Sequence, residues 1–472
     1  MKHRESMEKS KFMSAAELMK DKLGPALCLA KWQQVSLHLP TGLTNSCYHP
    51  PLHEIDSAPL LFNPSALHNT DYKKQQRKLM LEQQKPAECN YCWSAEDNGQ
   101  LSDRHYRSGE PWAAEHYEEI VNAPWDQDVT PSYVEVNFSH GCNLACSYCS
   151  PQYSTKWGTD IDRWGAYPTS TPHNAPAHFQ GRRKPIPVRA ENPYVDAFWS
   201  WWPELYPKLK HFRMTGGEPL MDKNTHRVFD YILALPKSDL HVDVTSNFSV
   251  EPELFDKYID KVKQLCEGER IEHFMQYVSL DSGDTRQSEY IRRGLNQHRV
   301  NSYVHRYLTH IPYRNSLTYI ITMSNLNILG LKQLLQTILD QRELYSETYQ
   351  RVWFDTPLLR SPTWQSLQIL PASYYAVLED IIAFMRDNIM SNDSFVGFKD
   401  YEIQRMERNL LWMQDGSKLE PKYVTLQRAD FYRFFSEYDK RRGAYETDIG
   451  HFTDIFPQMK EFWNECKYHA EN

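Results

Sequence analysis

Three cysteines crowd one short stretch of this sequence, residues 134–150 (VEVNFSHGCNLACSYCS): Cys142, Cys146 and Cys149, spaced C-x3-C-x2-C. Cysteine thiolates are the main ligands of iron–sulfur clusters. Three of them on one loop can each hold one iron of a cubane, and the fourth iron then stays open to an outside ligand. That open corner is the chemical reason to supply three sulfurs and not four. A zinc loop is the other reading of clustered thiolates, although zinc sites usually close with four ligands in C-x2-C-like pairs. A second set, Cys28, Cys47, Cys89 and Cys92, precedes the loop. Four thiolates can close a site completely, and the C-x2-C pair Cys89/Cys92 puts two sulfurs on one turn. A structural zinc and an iron–sulfur cluster both suit that donor set. A thioredoxin-type redox pair needs a βαβ context that the flanks of Cys89 lack. Whether His49 assists Cys47 stays open.

The loop, placed after a first strand, resembles that of the radical S-adenosylmethionine (radical SAM) superfamily, with Tyr148 as the aromatic before the last cysteine. The resemblance implies a 4Fe–4S cluster whose open iron chelates the amino and carboxylate groups of S-adenosylmethionine. One electron then splits that cofactor into methionine and a 5′-deoxyadenosyl radical. Gly216-Gly217-Glu218-Pro219 resembles the motif ending the second strand of that family. Glycine suits a place where backbone groups approach the cofactor's amino group closely, and Glu218 adds an acceptor for the ammonium. By the same resemblance Ser279 and Asp281 face the ribose side, and Arg292 or Arg293 pairs with the carboxylate in a bidentate geometry. Asn247 either hydrogen-bonds cofactor or substrate or caps the next helix.

The N-terminal arrangement C-x13-G-x4-C, with Gly42 ahead of Cys47, then C-x2-C, resembles the auxiliary-cluster modules called SPASM and twitch. It implies a second, auxiliary 4Fe–4S cluster on Cys28, Cys47, Cys89 and Cys92. The order, module before barrel, matches one group of twitch-containing radical SAM proteins. The implied activity is hydrogen abstraction from a peptide or protein residue, with a flavodoxin or ferredoxin as electron donor. Oxidation or rearrangement of a small metabolite or sugar is the alternative within the enzyme class, and a non-catalytic iron–sulfur scaffold is the alternative outside it.

The elements that must carry these residues alternate. Strands are expected at 134–138, before Gly216, and at 241–244, 275–280, 317–322 and 352–354, with helices at 194–206, 223–235, 252–266, 301–308 and 325–339 between and after them. Such alternation means βαβ units and a parallel sheet. Six units make the partial (βα)6, TIM-like barrel of the resembled family, an α/β fold whose catalytic groups sit at the C-terminal strand ends. The motifs all fall at such ends. A charged helix over 72–86 stops at Pro86 and orients the C-x2-C pair, a linking helix plus loop fills 93–128, and 152–189 reads as one long loop. Phe198, Trp199, Trp201 and Trp202 read as core packing. Beyond Leu370-Pro371, apolar residues recur at helical spacing (YYAVLEDIIAFM, YEIQRMERNLLWM, ADFYRFFSEYDKRR), predicting a helical region that seals the barrel or docks a partner; through FFSEYDKRRGAY and FPQMKEFW it resembles the C-terminal motif of the same module-first group. The expected division is 1–130, 131–372 and 373–472. His298, His305 and His310 read as solvent-facing or packed, Cys266 and Cys466 as small buried hydrophobes. Asp355, before Pro357, is either a base or a turn residue.

A chain of 472 residues that is 40% hydrophobic and 13% aromatic can bury a large core in two or three domains. A formal charge of −8 argues against a general nucleic-acid binder, and Arg182-Arg183-Lys184 reads as a solvated run. The charged N-terminus lacks the apolar core of a secretory signal, and no window of about 20 apolar residues suggests a membrane span. Seven of nine cysteines in two cluster-like sets point to a reducing interior, hence a cytoplasmic protein.

Overall fold

The computed structural model describes residues 15–391, 394–443 and 450–472. The charged residues 1–14, the Arg182 side chain and the Ala444-Tyr445 end of the C-terminal motif lie outside that description. In chain order the described strands are β1 (Gln34–His38), β2 (Leu43–Asn45), β3 (His53–Glu54), β4 (Tyr133–Asn137), β5 (Ala145–Cys146), β6 (His211–Thr215), β7 (Lys237–Ser246), β8 (Ile271–Ser279), β9 (Arg292–Arg293), β10 (Ser316–Ile320) and β11 (Val352–Asp355). The chain divides into two compact units.

One unit takes in the chain up to His140 with Lys184–Val244 and Gly268–Phe274. Its strands run in the order β3-β2-β1-β4-β6-β7, with β1, β4, β6 and β7 parallel and β1-β2-β3 antiparallel. Alternation explains the layering: successive strand residues face opposite sides. Val35, Leu37, Val134, Val136, Phe212, Met214, Val242 and Val244 are all buried on one side. Helix Pro193–Leu205 starts at the Asn192 cap and packs in this unit through Phe198 and Trp202, whose rings lie 5.0 Å from Phe138 and 5.1 Å from Phe212. On the other side, register sets Glu135, Arg213 and Asp243 in one row. The charged helix is shorter than expected, Asp71–Leu81, because the chain turns at Gln83 (φ +58°) before reaching Pro86. In place of one linking helix, 93–128 holds the end of helix Asn90–Asp97 and then Asp103–Gly109, Pro111–Ala114 and Tyr117–Asn122. Capping by Ser102 and the proline at 111 divide the run.

The other unit comprises Gly141–Arg183, Thr245–Glu267 and the chain from Met275 on. Here β8, β10 and β11 run parallel, and β5 pairs antiparallel with β9. Helices Pro252–Glu267, Gln297–His310 and Ile328–Tyr345 fall where the alternation predicts them; Thr285–Ile291 was not expected. The stretch read as a loop is a correction: Ser154 caps a helix, Thr155–Trp164, that buries Trp157, Asp160 and Ile161. Trp157, Ile161 and Trp164 do recur at helical spacing, but the helix is short and the prolines that follow it, from Pro168 on, set the character of the stretch. Further on, the Tyr167 ring packs tilted against Phe434 of helix Pro421–Gly443, at 4.5 Å. Phe431 and Phe462 join that helix to Lys460–Glu471 at 5.2 Å. The whole is a mixed α/β chain with extensive parallel strand pairing and many helices. Among the described residues no helix is long and apolar enough to cross a membrane.

Candidate functional site

The cysteine loop opens at Gly141 and is held from several directions within its unit. The Cys142 amide donates to Thr155 Oγ1 (3.2 Å), whose hydroxyl donates back to the Cys142 carbonyl (3.1 Å). Cys146 lies in β5, opposite Arg292 of β9. The Trp157 indole donates to the Cys146 carbonyl (2.9 Å), and the Cys149 amide donates to the same oxygen (2.9 Å), closing the turn between them. Ser147 and Gln365 exchange hydrogen bonds of 2.9 and 3.0 Å. Asn247 donates to Asn143 Oδ1 (2.9 Å) and accepts from the Ser249 amide (2.7 Å). It thus braces the loop and caps the turn after β7.

Charge is concentrated beside Cys146. Arg292 Nη1 reaches Cys146 Sγ at 3.7 Å, and Arg292 Nε donates to Asp281 Oδ2 at 2.7 Å. Tyr148 Oη donates to the same Oδ2 at 2.7 Å, and the Thr322 amide donates to Oδ1 at 3.0 Å. Asp281 is 0% exposed. The residue expected to face the ribose is therefore engaged on both oxygens, positioning Arg292 and Tyr148. Burial lowers the Arg292 pKa, but Asp281, Tyr148 and Cys146 outweigh it and hold the guanidinium charged. Burial pushes the Cys146 thiol up, opposed by Arg292. Burial and then Cys146 push Cys149 up to about 12. Burial likewise keeps Tyr148 a neutral donor. Of the two arginines weighed, Arg293 is instead turned to Asp160 (3.0 Å). Ser279 ends β8 opposite Ile320. His298, His305 and His310 are exposed, Cys266 and Cys466 are buried, and Asp355 ion-pairs with Arg405.

Two further features belong to the first unit. At the Gly216-Gly217-Glu218 turn, Gly216 adopts φ +122°, and an added Cβ would stand 2.2 Å from Asn137 Oδ1 and 3.1 Å from the Ser139 carbonyl. Gly217 donates to that carbonyl (3.1 Å), and Glu218 accepts from the Leu220 amide (3.0 Å). Asn137 Oδ1 is buried and has no hydrogen-bond partner among the described residues, an acceptor aimed at the space that glycine leaves.

Cys28, Cys47, Cys89 and Cys92 line one cavity with Lys31, Tyr48, His49 and Trp93. Cys28 precedes the helix Ala30–Gln33, Cys47 follows β2, and Cys89 and Cys92 straddle the start of helix Asn90–Asp97. Burial first, and then Cys28, push Cys47 up to about 12 and Cys92 up to about 12. Burial, opposed by Lys31, pushes Cys89 up to about 11. His49 is held by Asp103 and stacks 3.8 Å from Tyr91. None of the cysteines is in a disulfide. Among the described residues no three His, Cys, Asp or Glu groups are placed to hold a single metal ion. Lys31, Asn137, Thr155 and Gln365 escaped sequence reading, since only the folded path brings them to the sites.

No protein-family model matches the sequence. No curated protein matches it either. Among solved structures, the chain is similar to Streptococcus suis SuiB bound to S-adenosylmethionine, at 12% identity over 71% of this chain and 65% of that one, with a TM-score of 0.34. It is also similar to SuiB bound to the precursor peptide SuiA, at 10% identity over 75% and 69%, with a TM-score of 0.34. The chain thus covers just under two thirds of the first neighbour's length.

Proposed function

We propose that this chain is a radical SAM enzyme. Cys142, Cys146 and Cys149 hold a 4Fe–4S cluster with one iron open to S-adenosylmethionine, and Cys28, Cys47, Cys89 and Cys92 hold an auxiliary 4Fe–4S cluster. The observation that carries the reading is a triad of thiols on one braced loop, with a guanidinium 3.7 Å from the middle sulfur. When bound and reduced, cluster and cofactor supply a 5′-deoxyadenosyl radical that takes hydrogen from a substrate C–H bond. The chain's own part is positioning. Hydrogen bonds from Thr155, Trp157 and Asn247 hold the loop for its three sulfurs. Arg292 favours the thiolate of Cys146, and Asp281 keeps Arg292 there. The donor set fits iron, whose binding displaces the protons that burial retains on Cys47, Cys89, Cys92, Cys146 and Cys149. The orphaned Asn137 Oδ1 beside Gly216 fits an ammonium donor, and the Gly216-Gly217-Glu218 turn is assigned to the cofactor's amino group.

In this reading 1–130 carries the auxiliary cluster, 131–372 forms the partial barrel that does the radical chemistry, and 373–472 encloses the substrate. The substrate is a peptide or protein residue, the electron donor a flavodoxin or ferredoxin, and the setting the reducing cytoplasm.

Anaerobic reconstitution followed by iron, sulfide and 5′-deoxyadenosine analysis tests the proposal. The unmodified chain is expected to hold about eight irons and to release 5′-deoxyadenosine when reduced. Cys142→Ala should lose half the iron and all of that product. Cys89→Ala should keep cofactor cleavage and lose substrate turnover. A loaded, reduced chain that makes no 5′-deoxyadenosine would instead be an iron–sulfur scaffold. About four irons plus one zinc would remove the auxiliary cluster.

A further inference from the structure

Lys31 follows Cys28 by three residues on the helix Ala30–Gln33, and its side chain is 2% exposed. An ammonium so placed needs a partner, since an isolated buried charge is very costly. Its partner is the carboxylate of Glu88, the residue before Cys89, itself 6% exposed. Through Glu88 the ammonium is held next to Cys89, which lines the same cavity. Lys31 thus shares the cavity wall with all four cysteines.

Stability gives little reason for this pair, because apolar residues of similar volume usually serve a core as well or better than a buried ion pair. Electrostatics gives a better one. Four thiolates around a 4Fe–4S core leave a net double negative charge, and reduction adds a third. Behind Lys31 the cation of Arg77 adds to the positive charge on this side of the cavity. Arg77 donates from Nε to the Lys31 carbonyl (3.3 Å) and from Nη1 to Asn69 Oδ1 (2.9 Å), and Lys73 shares a hydrogen bond with His68 (3.1 Å). A fixed cation beside a cluster ligand favours the more negative, reduced state.

We propose that Lys31, oriented by Glu88, sets the reduction potential of the N-terminal cluster and raises it. The inference rests on the auxiliary-cluster reading above. Lys31 is a positioning charge and ligates nothing, so potential is the quantity it moves.

The test is a redox titration followed by electron paramagnetic resonance, on the full chain carrying Cys142→Ala so that only the N-terminal cluster contributes. Adding Lys31→Met should lower the one-electron reduction constant tenfold or more, a shift of about −59 mV or beyond. Glu88→Gln, which removes the opposing negative charge, should shift it upward. Lys31→Arg, which keeps the cation, should change the constant less than threefold. Opposite signs for the two neutralising substitutions are what a merely structural role would not produce. Changes under twofold in both, or changes of the same sign, overturn the inference while leaving the cluster in place. If Lys31→Met fails to load iron, Glu88→Gln and Lys31→Arg still decide. A parent chain with no iron at this site overturns the cluster reading itself.

Discussion

Two glycines show how the same residue type does opposite work. Gly216 sits in left-handed backbone space with Asn137 and Ser139 pressed against it, so a methyl group there has no room and an unfavourable φ. Gly216→Ala is expected to cost on the order of 2–4 kcal/mol, read as a lower urea midpoint. Gly158 lies inside helix Thr155–Trp164 with nothing within 4 Å of an added Cβ. Gly158→Ala should stabilise by about 0.5–1 kcal/mol in the same titration. A glycine pair after a strand is visible in sequence. The partnerless oxygen of Asn137, 79 residues earlier, is not, because nothing local marks which asparagine will face the turn.

At the level of elements, Asp160 joins three of them. Its carboxylate accepts from Arg293 of β9 (3.0 Å) and from Arg441 of helix Pro421–Gly443 (2.8 Å), while Asp160 itself belongs to helix Thr155–Trp164. All three side chains are buried. Removing one partner of a buried ionic group strands the others, so Asp160→Ala should destabilise by about 3–5 kcal/mol. Chemical denaturation monitored by tryptophan fluorescence would measure it. The stretch 152–189 reads as a loop because its one helix is short, and the prolines and glycines after it outweigh the spacing of Trp157, Ile161 and Trp164. Strands β4, β6, β7, β8, β10 and β11 were legible, because runs such as HFRMT and HVDV alternate, as were helices such as LKQLLQTILDQRELY that repeat every three to four residues; β1, β2, β3, β5 and β9, short and paired only in the folded chain, were not.

Across the sheet of the first unit, Glu135, Arg213 and Asp243 stand in register, with Arg213 Nε 3.4 Å from Glu135 Oε2. Burial pushes the Asp243 carboxyl up to about 6; Arg213 opposes the rise and Glu135 adds to it. A carboxyl raised on folding binds its proton more tightly in the native state. The stability this adds is fully present below the ordinary carboxylate range and is lost as pH rises through about 6. Asp243→Asn should therefore raise the melting temperature at pH 8, by on the order of 1–3 kcal/mol of stability, and do almost nothing near pH 3.5. Thermal melts at the two pH values check this. An equal gain at both would point to packing and not to ionisation.

What the sequence determined alone is local chemistry and local periodicity. Cys142, Cys146 and Cys149 are close because eight residues of chain hold them so, and the parallel-strand alternation follows from side-chain period. Tertiary structure decided the rest: that Cys28 and Cys47 meet Cys89 and Cys92 at one cavity, that Lys31 is sealed in with them, and that Arg292 rather than Arg293 faces Cys146. These depend on which distant segments pack together. Long-range packing is a property of the whole chain's burial, and no short window of residues contains it.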